Sequence, residues 1–458
     1  MGADTAMETN GQRTIWILIL TSLGFFMSMM DSMIVTTAST AIRTDFHISM
    51  TTLQWAMNAY NITIAAVLLV GVTLGERFGR RQIYNWGILI FTVGSIGCAL
   101  AGNIQALVGA RIIEGVGASV MTPMSMAILT HALPANRRGK ALGIWSGIGG
   151  LALIVGPSLG GLIVARLAWP WIFWINVPIG LVAVWLSRRY LPESTGVASR
   201  LPLLDTGLMM VSLAGIIWSL SALPGLKPIV IGMGSLALGG WLLYRQSRVA
   251  EPMIPLSYFR LQTFTAGNMA TFLLYAAMYG VVFFLPQFLQ AVGGANALVA
   301  GLELLPWTGT LVFVAPFAGK AVDRFGEKKI ATLGLALQAL GYALIGSLNN
   351  GHQAYWLMII PLALAGSGLS MAGPALQKAV LGAVKPAAIG QASGIYNVFR
   401  LLGGAVGTAV AVIVFNWFGN TSNSAAFTSG FRAMMLVMAL CSLLGIGWSL
   451  QFRISTDD

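Results

Sequence analysis

Charge is what this chain has least of. Only 9% of its 458 residues are charged against 57% hydrophobic, and the mean hydropathy is +0.79. A soluble globular domain carries about 25% charged residues, so an ordinary water-facing surface is excluded. Cysteine is nearly missing: Cys98 and Cys441 both lie in apolar runs. They have neither metal-ligand spacing nor a disulfide framework, which excludes thiol or structural-metal chemistry. The three histidines, His47, His131 and His352, fall in or beside predicted loops rather than in a cluster. No GxxxxGK[ST] segment occurs, which excludes ATP-driven transport by this chain alone. No cofactor and no metal are expected.

What is present is apolar sequence in lengths of about 20 residues, the length of a bilayer crossing. Six spans are predicted near 14–36, 51–74, 83–102, 105–129, 141–165 and 169–187, and two near 205–223 and 228–244. Six more fall near 264–290, 298–319, 330–348, 355–380, 389–416 and 430–451, which makes fourteen. The first run is too long for a signal peptide and lacks a small-residue cleavage site, so it reads as a span. Lys and Arg outnumber Asp and Glu by 26 to 14, a net charge of +12. With the N-terminus inside, twenty of the basic residues fall in alternate loops on one side and four on the other. These include Arg13, Arg77, Arg80, Arg81, Arg137, Arg138, Lys140, Arg200, Arg324, Lys328 and Arg453 on the inner side. That alternation predicts two cytoplasmic termini. The positive charge therefore meets anionic headgroups, and no nucleic acid is needed to account for it.

The chain repeats itself. An offset of 251 superposes Gly115, Gly117, Ser119 and Pro123 on Gly366, Gly368, Ser370 and Pro374, and Gly143, Ile144 and Gly156 on Gly394, Ile395 and Gly407. At an offset of 247, Glu76-Arg77-Phe78-Gly79 meets Asp323-Arg324-Phe325-Gly326. Duplicated halves imply a substrate site between them near the midplane. The predicted units are residues 14–190 and 262–453 as six-helix halves, with 203–245 an inserted helix pair. The linkers are 191–204, with Pro192, Gly196 and Pro202, and 245–262.

Nine segments in order carry a resemblance: "MMDSMIV" around Asp31, "GERFGRR", "ARIIEGVGA", "GPSLGG", "WPWIFWINVPIG", "LLDTG", "PLSYFRLQTF", "GKAVDRFGEKK" and "FRLLGGAVGTA". Together they resemble the 14-helix drug:proton antiporter branch of the major facilitator superfamily, over nearly the whole chain. The resemblance implies an all-α polytopic membrane fold, two six-helix halves plus two extra central helices. It implies a proton-coupled exporter, not an enzyme, working by alternating access on lipophilic, cationic drugs or toxic compounds in the plasma (inner) membrane. The alternative is export of an endogenous metabolite or amphiphile on the same scaffold. The expected partners are a small-molecule substrate, protons and the bilayer, and the expected working unit is a monomer. The chain departs from the family pattern at Val72 in place of Gly, Glu76 in place of Asp, and Glu114 in place of Gln, and in "VTTASTAI" after the first span.

Ionisable groups at membrane depth cost about 2.5 to 3.5 kcal/mol each on insertion scales and mark function. Asp31, Arg111, Glu114 and Glu303 are the candidate proton-coupling residues, and Arg400 is a candidate interhelical donor. Arg111 and Glu114, three apart, share a helix face and can neutralise each other. Polar side chains that could line a cavity are Asn58, Asn61, Tyr275, Tyr279, Gln287 and Asn397, with Gln54 and Gln290 beside them. In the paired loops Glu76, Arg77 and Gly79, and Asp323, Arg324 and Gly326, are expected to turn sharply at the glycine. Their acid then meets a helix N-terminus or an arginine as a cytoplasmic latch. Gly156, Pro157, Gly160 and Gly161 predict a kinked, tightly packed helix that seals the pathway. The same stretch spells G-x-S-x-G around Ser158, but a hydrolase elbow needs a strand-turn-helix setting that a membrane helix denies.

Overall fold

The computed structural model describes residues 2–133, 135–195, 203–222, 225–249, 252, 254–348, 355–385 and 388–452. Arg200, Gly196, Pro202, His352 and Arg453 lie outside the described residues, as do the side chains of Arg13, Arg137, Arg138 and Lys140. Secondary structure among the described residues is entirely helical, as a bilayer requires when every backbone polar group must be satisfied within its own segment. The first half comprises α1 (Gly2–Asp45), α2 (Met50–Phe78), α3 (Arg80–Ala99), α4 (Ile104–Ala132), α5 (Ala135–Arg166), α6 (Trp171–Trp174) and α7 (Asn176–Tyr190). Then come α8 (Leu203–Ser221) and α9 (Leu226–Gln246), packed on each other. The rest comprises α10 (Gln262–Ala291), α11 (Ala297–Glu303), α12 (Leu305–Phe313), α13 (Ala315–Phe325), α14 (Glu327–Leu348), α15 (Trp356–Gly382), α16 (Ile389–Phe418) and α17 (Ser424–Ser449).

Among the described residues, ten helical stretches are long and apolar enough to cross a membrane, and α2 makes an eleventh as two pieces bent by 49°. The remaining predicted crossings fall on α3, α8 and the α11–α13 segment. α3 opens on the polar run Arg80-Arg81-Gln82, which lowers its apolar content. The predicted span 298–319 is instead three short helices, with a proline in the first turn of both α12 and α13. Proline has no N–H to continue the preceding ladder, so it opens a new helix there. Side-chain caps at Ser49, Asn103, Asn296 and Asn423 start α2, α4, α11 and α17, each accepting from a backbone N–H at 2.8 to 3.1 Å.

The sequence repeat is a repeat of packing. Gly117 of α4 lies against Gly87 and the Phe91 amide of α3, and Gly368 of α15 lies against Gly334 and the Gln338 amide of α14. Gly79 and Gly326 both take positive φ, +106° and +82°, where a side chain would be strained. Beside them Arg77 stands 5.4 Å over the Phe78 ring and Arg324 5.3 Å over Phe325.

These two turns mark one end of the bundle, here termed the basic end. At the far end the halves share one continuous core, in which Met33, Ile42, Met57 and Phe173 join Phe284, Phe288 and Phe415. There Gln290 Nε2 donates to the Thr37 carbonyl (3.4 Å) and Asn416 Nδ2 to Thr51 Oγ1 (3.1 Å), bonding one half to the other. Toward the basic end the first half has its own core, around Tyr84, Phe91, Met121 and Trp145. A cleft of about 430 Å³ opens there, lined by Pro374, Gln377, Lys378, Leu381, Gly382 and Ile389.

Candidate functional site

Arg111 of α4 lies at the centre of the first half, fully buried, and draws three helices together. Its Nη1 donates to Asp31 Oδ2 of α1 and, at 2.7 Å, to Glu114 Oε2 one turn along α4. Its Nε donates to the Ala56 carbonyl of α2 at 3.0 Å, and its guanidinium stacks 4.1 Å from the Tyr60 ring. The Tyr60 hydroxyl in turn donates to the Ser28 carbonyl (3.0 Å), three residues before Asp31. Glu114 accepts from Ser95 Oγ, and Cys98 Sγ donates to its other oxygen at 3.4 Å. Asn176, at the start of α7, donates to Ser95 Oγ at 3.3 Å and approaches Asp31. Asp31, Arg111 and Glu114 expose 1% of their surface or less.

The cluster therefore holds two carboxylates and one guanidinium away from water. With both acids ionised it carries a net charge of −1, and a single proton on either makes it neutral. Among the described residues Asp31 Oδ1 has no hydrogen-bond partner, and neither does Asn61 Oδ1 nor either amide atom of Asn58. Buried polar atoms left unpaired are costly in an apolar interior. Asn58 and Asn61, one turn apart on α2, thus form a buried polar face with unused capacity.

The other expected site residues divide. Gln287 is buried on α10 with Nε2 bonded to its own helix, to the Phe283 carbonyl at 2.7 Å, and Oε1 unpaired. Tyr279 is within hydrogen-bonding reach of Ser32, next to Asp31, and its ring lies against Gly404 of α16. Tyr275, one turn before it, faces Arg400 at 5.6 Å. Asn397 spends its Nδ2 on the Ser393 carbonyl of its own helix, at 2.9 Å. Glu303 stands apart from the Asp31 cluster: it ends α11, half-buried, with no ion pair among the described residues. Its carbonyl accepts from Tyr355 at 2.7 Å.

The helix that carries Gly156, Pro157, Gly160 and Gly161, α5, runs as one helix through Pro157. Gly156 and Gly160 lie against Met33 and Ile34 of α1. Gly161 meets the Ala297 carbonyl of α11, and Gly301 meets the Pro157 carbonyl. Only residues without a Cβ permit this approach, which closes the halves on each other at the far end.

The two turns differ in their partners. Asp323 accepts from Lys378 of α15 at 2.8 Å, and Glu327 stands 3.2 Å from the same ammonium. In the first half, among the described residues, Glu76 reaches only Arg80, at 3.9 Å. The amides that open α3 are taken instead by Glu193 of the following linker, from Arg81 N (2.9 Å) and Gln82 N (3.2 Å). Helix N-termini favour such an acid. Nothing in sequence spacing marks Glu193 for that role, whereas Asn176 could have been found as the only amide in the predicted span 169–187.

A multi-pass helical membrane protein with duplicated packing and buried ionisable groups has the architecture of a transporter. The chain belongs to the Major Facilitator Superfamily, whose family model matches residues 21–408 and again 268–455. It is 31% identical over 405 residues to a riboflavin transporter, RibZ, of Clostridioides difficile, covering 86% of this chain and 87% of that one. It is 30% identical over 458 residues to a methylenomycin A resistance protein of Streptomyces coelicolor, covering 97% and 94%. To the multidrug resistance protein Stp of Mycobacterium tuberculosis it is 31% identical over 400 residues, covering 86% and 74%. In fold it is similar to a D-xylose-proton symporter, with a TM-score of 0.69 at 17% identity, covering 96% of this chain and 99% of that one.

Proposed function

We propose that the protein exports lipophilic compounds in exchange for protons, by alternating access, as a member of the 14-helix drug:proton antiporter branch. Three units are assigned: two six-helix halves, 14–190 and 262–453, and an inserted pair, 203–245. The basic end and both termini are assigned to the cytoplasm of a plasma (inner) membrane, in keeping with the side that Lys and Arg favour.

The observation that carries the reading is the buried set of Asp31, Glu114 and Arg111, two acids sharing one base. Such a set exchanges one proton between a neutral and an anionic state. Protonating Asp31 weakens its hold on Arg111 and so loosens α1 from α4, and releasing that proton restores the pair. A proton taken from the far side and released to the cytoplasm thus biases which end of the bundle is closed. Asp31, Arg111 and Glu114 are assigned to proton coupling, and Asn58, Asn61, Tyr275, Tyr279 and Gln287 to the substrate pathway between the halves. The α5–α11 crossing at Gly156, Pro157, Gly160 and Gly161 acts as the far-side seal. Glu76, Arg77, Gly79, Asp323, Arg324 and Gly326 form the basic-end latch. Relatives named as resistance proteins support a drug as cargo. A second reading, export of a metabolite, draws on a relative named as a riboflavin transporter for its cargo class alone.

The test is susceptibility of an exporter-deficient bacterial strain expressing the protein, across a panel of lipophilic antibiotics and dyes. Wild type should raise resistance to several compounds, and an Asp31→Asn variant at equal surface expression should raise it to none. Equal resistance from both would remove Asp31 from the mechanism.

A further inference from the structure

The repeat divides charge unequally between the halves. At the offset of 251, Ala365 stands where the first half has Glu114, and Gly149 stands where the second half has Arg400. The first half thus contributes an acidic cluster and the second a lone guanidinium. Arg400 forms no ion pair with a carboxylate among the described residues, and its buried Nε has no partner. Its neighbours are three tyrosines. Tyr275 is 5.6 Å from the guanidinium beneath its ring face, and Tyr279 and Tyr396 complete the surround. Ring faces offset part of the cost of holding a cation without an acid, and the Tyr275 hydroxyl is within hydrogen-bonding reach of the guanidinium, but Nε is left without a partner among the described residues.

The cage and the cleft meet neighbouring residues of α15. Tyr396 donates to the Gly373 carbonyl at 3.2 Å, and a Cβ on Gly373 would stand 3.5 Å from the Tyr275 hydroxyl. The next residue, Pro374, lines the cleft at the basic end. Glycine at 404 lets the Tyr279 ring lie on the α16 backbone one turn beyond Arg400. A ligand that passed inward from the cleft would meet tyrosine rings and a guanidinium whose Nε has no partner among the described residues.

We propose that Arg400, with Tyr275, Tyr279 and Tyr396, binds an anionic acceptor group, a carboxylate, carried by an otherwise apolar aromatic substrate. The guanidinium offers two parallel N–H donors matched to two carboxylate oxygens, and the tyrosines supply aromatic surface for the rest. This deepens the reading of the interior as a substrate path and rests on it. It turns the expected substrate from a cation to an acid, because the acidic cluster is already engaged by Arg111 and Arg400 is not engaged by any acid.

The test is direct binding to the full-length protein in lipid nanodiscs at pH 7.5, read by fluorescence anisotropy. The probes are three acids, 2-naphthoate, 9-anthracenecarboxylate and 1-pyrenebutyrate, and their methyl esters. Wild type should bind at least one acid about tenfold or more tighter than its ester. Arg400→Gln should bring that pair to equal affinity, while Arg400→Lys, keeping the charge without the fork, should retain part of the preference. No acid outbinding its ester in wild type, or a preference untouched in folded Arg400→Gln, overturns the proposal. Should Arg400→Gln not fold, an Arg400→Lys protein with an undiminished preference overturns it equally. If proton-driven export fails in wild type while the preference stands, the assigned antiport falls and the binding site remains.

Discussion

Asp31 and Arg111, eighty positions apart in sequence, form an ion pair that is shut away from solvent on both sides and shared with Glu114. Buried pairs of this kind contribute less than their geometry suggests, because two ions must be desolvated. Removing one partner is nonetheless strongly unfavourable, since the other charge is left uncompensated. That asymmetry gives the first expectation. Arg111→Gln leaves two buried carboxylates without a cation and should destabilise the protein by about 3 to 5 kcal/mol. Adding Asp31→Asn should recover part of that loss, so the double variant melts above the single one in detergent thermal unfolding. Simple additivity of the two changes would show that the pair is not coupled.

The α3 N-terminus should depend on Glu193 rather than on Glu76. Glu193→Ala removes the acceptor for the Arg81 and Gln82 amides, a loss comparable to that of a helix cap, about 0.5 to 2 kcal/mol. Hydrogen exchange at residues 81–84 should accelerate in Glu193→Ala and stay near wild type in Glu76→Ala. The reverse order would return the capping role to Glu76.

At the second turn, Lys378 bridges Asp323 and Glu327 on an exposed surface, where each pair is worth about 1 kcal/mol or less. Asp323→Asn should therefore leave the fold intact and substrate affinity within a few-fold, while lowering the transport rate. Loss of equilibrium binding by a well-folded Asp323→Asn protein would place this acid in the binding surface instead of the latch.

The far-side seal should open when its glycines are filled. A Cβ at Gly161 collides with the Ala297 carbonyl, and one at Gly301 with the Pro157 carbonyl. Backbone on both sides leaves no side chain to yield. Gly161→Val should bias the bundle away from the far-side-closed state. A cysteine at Thr37, now buried beside Gln290, should react several-fold faster with a membrane-impermeant maleimide in that background. Unchanged labelling would mean that the α5–α11 crossing does not gate access.

Much of this architecture was legible in the sequence because it rests on properties that individual residues declare. Apolar runs near 20 residues gave the helices. Gly79 and Gly326 gave the two turns, since positive φ singles out glycine, and the 251 and 247 offsets gave the paired helix contacts of Gly117 and Gly368. Arg111 and Glu114 declared each other by their spacing of three. The partnership of Arg111 with Asp31 carries no spacing signal, because it is made by two helices meeting in space. Ser95 and Tyr60 were hidden for the same reason, being ordinary residues whose role comes only from what stands opposite them. The break in the predicted span 298–319, where Pro306 opens α12, was concealed by the apolar run around it. Glu303 read as a site residue because it interrupts that run, yet the break leaves it at a helix end, half-exposed.

The central claim is that Asp31 couples proton movement to substrate export, and the most direct measurement uses purified protein in proteoliposomes with an imposed pH gradient. Uptake of a fluorescent substrate identified in the resistance panel is followed as the gradient is applied and then collapsed with an ionophore. Wild type should accumulate the substrate only while the gradient lasts. Asp31→Asn should show no gradient-driven accumulation, though it should still equilibrate substrate down its own gradient. Accumulation by Asp31→Asn at the wild-type rate would contradict the account.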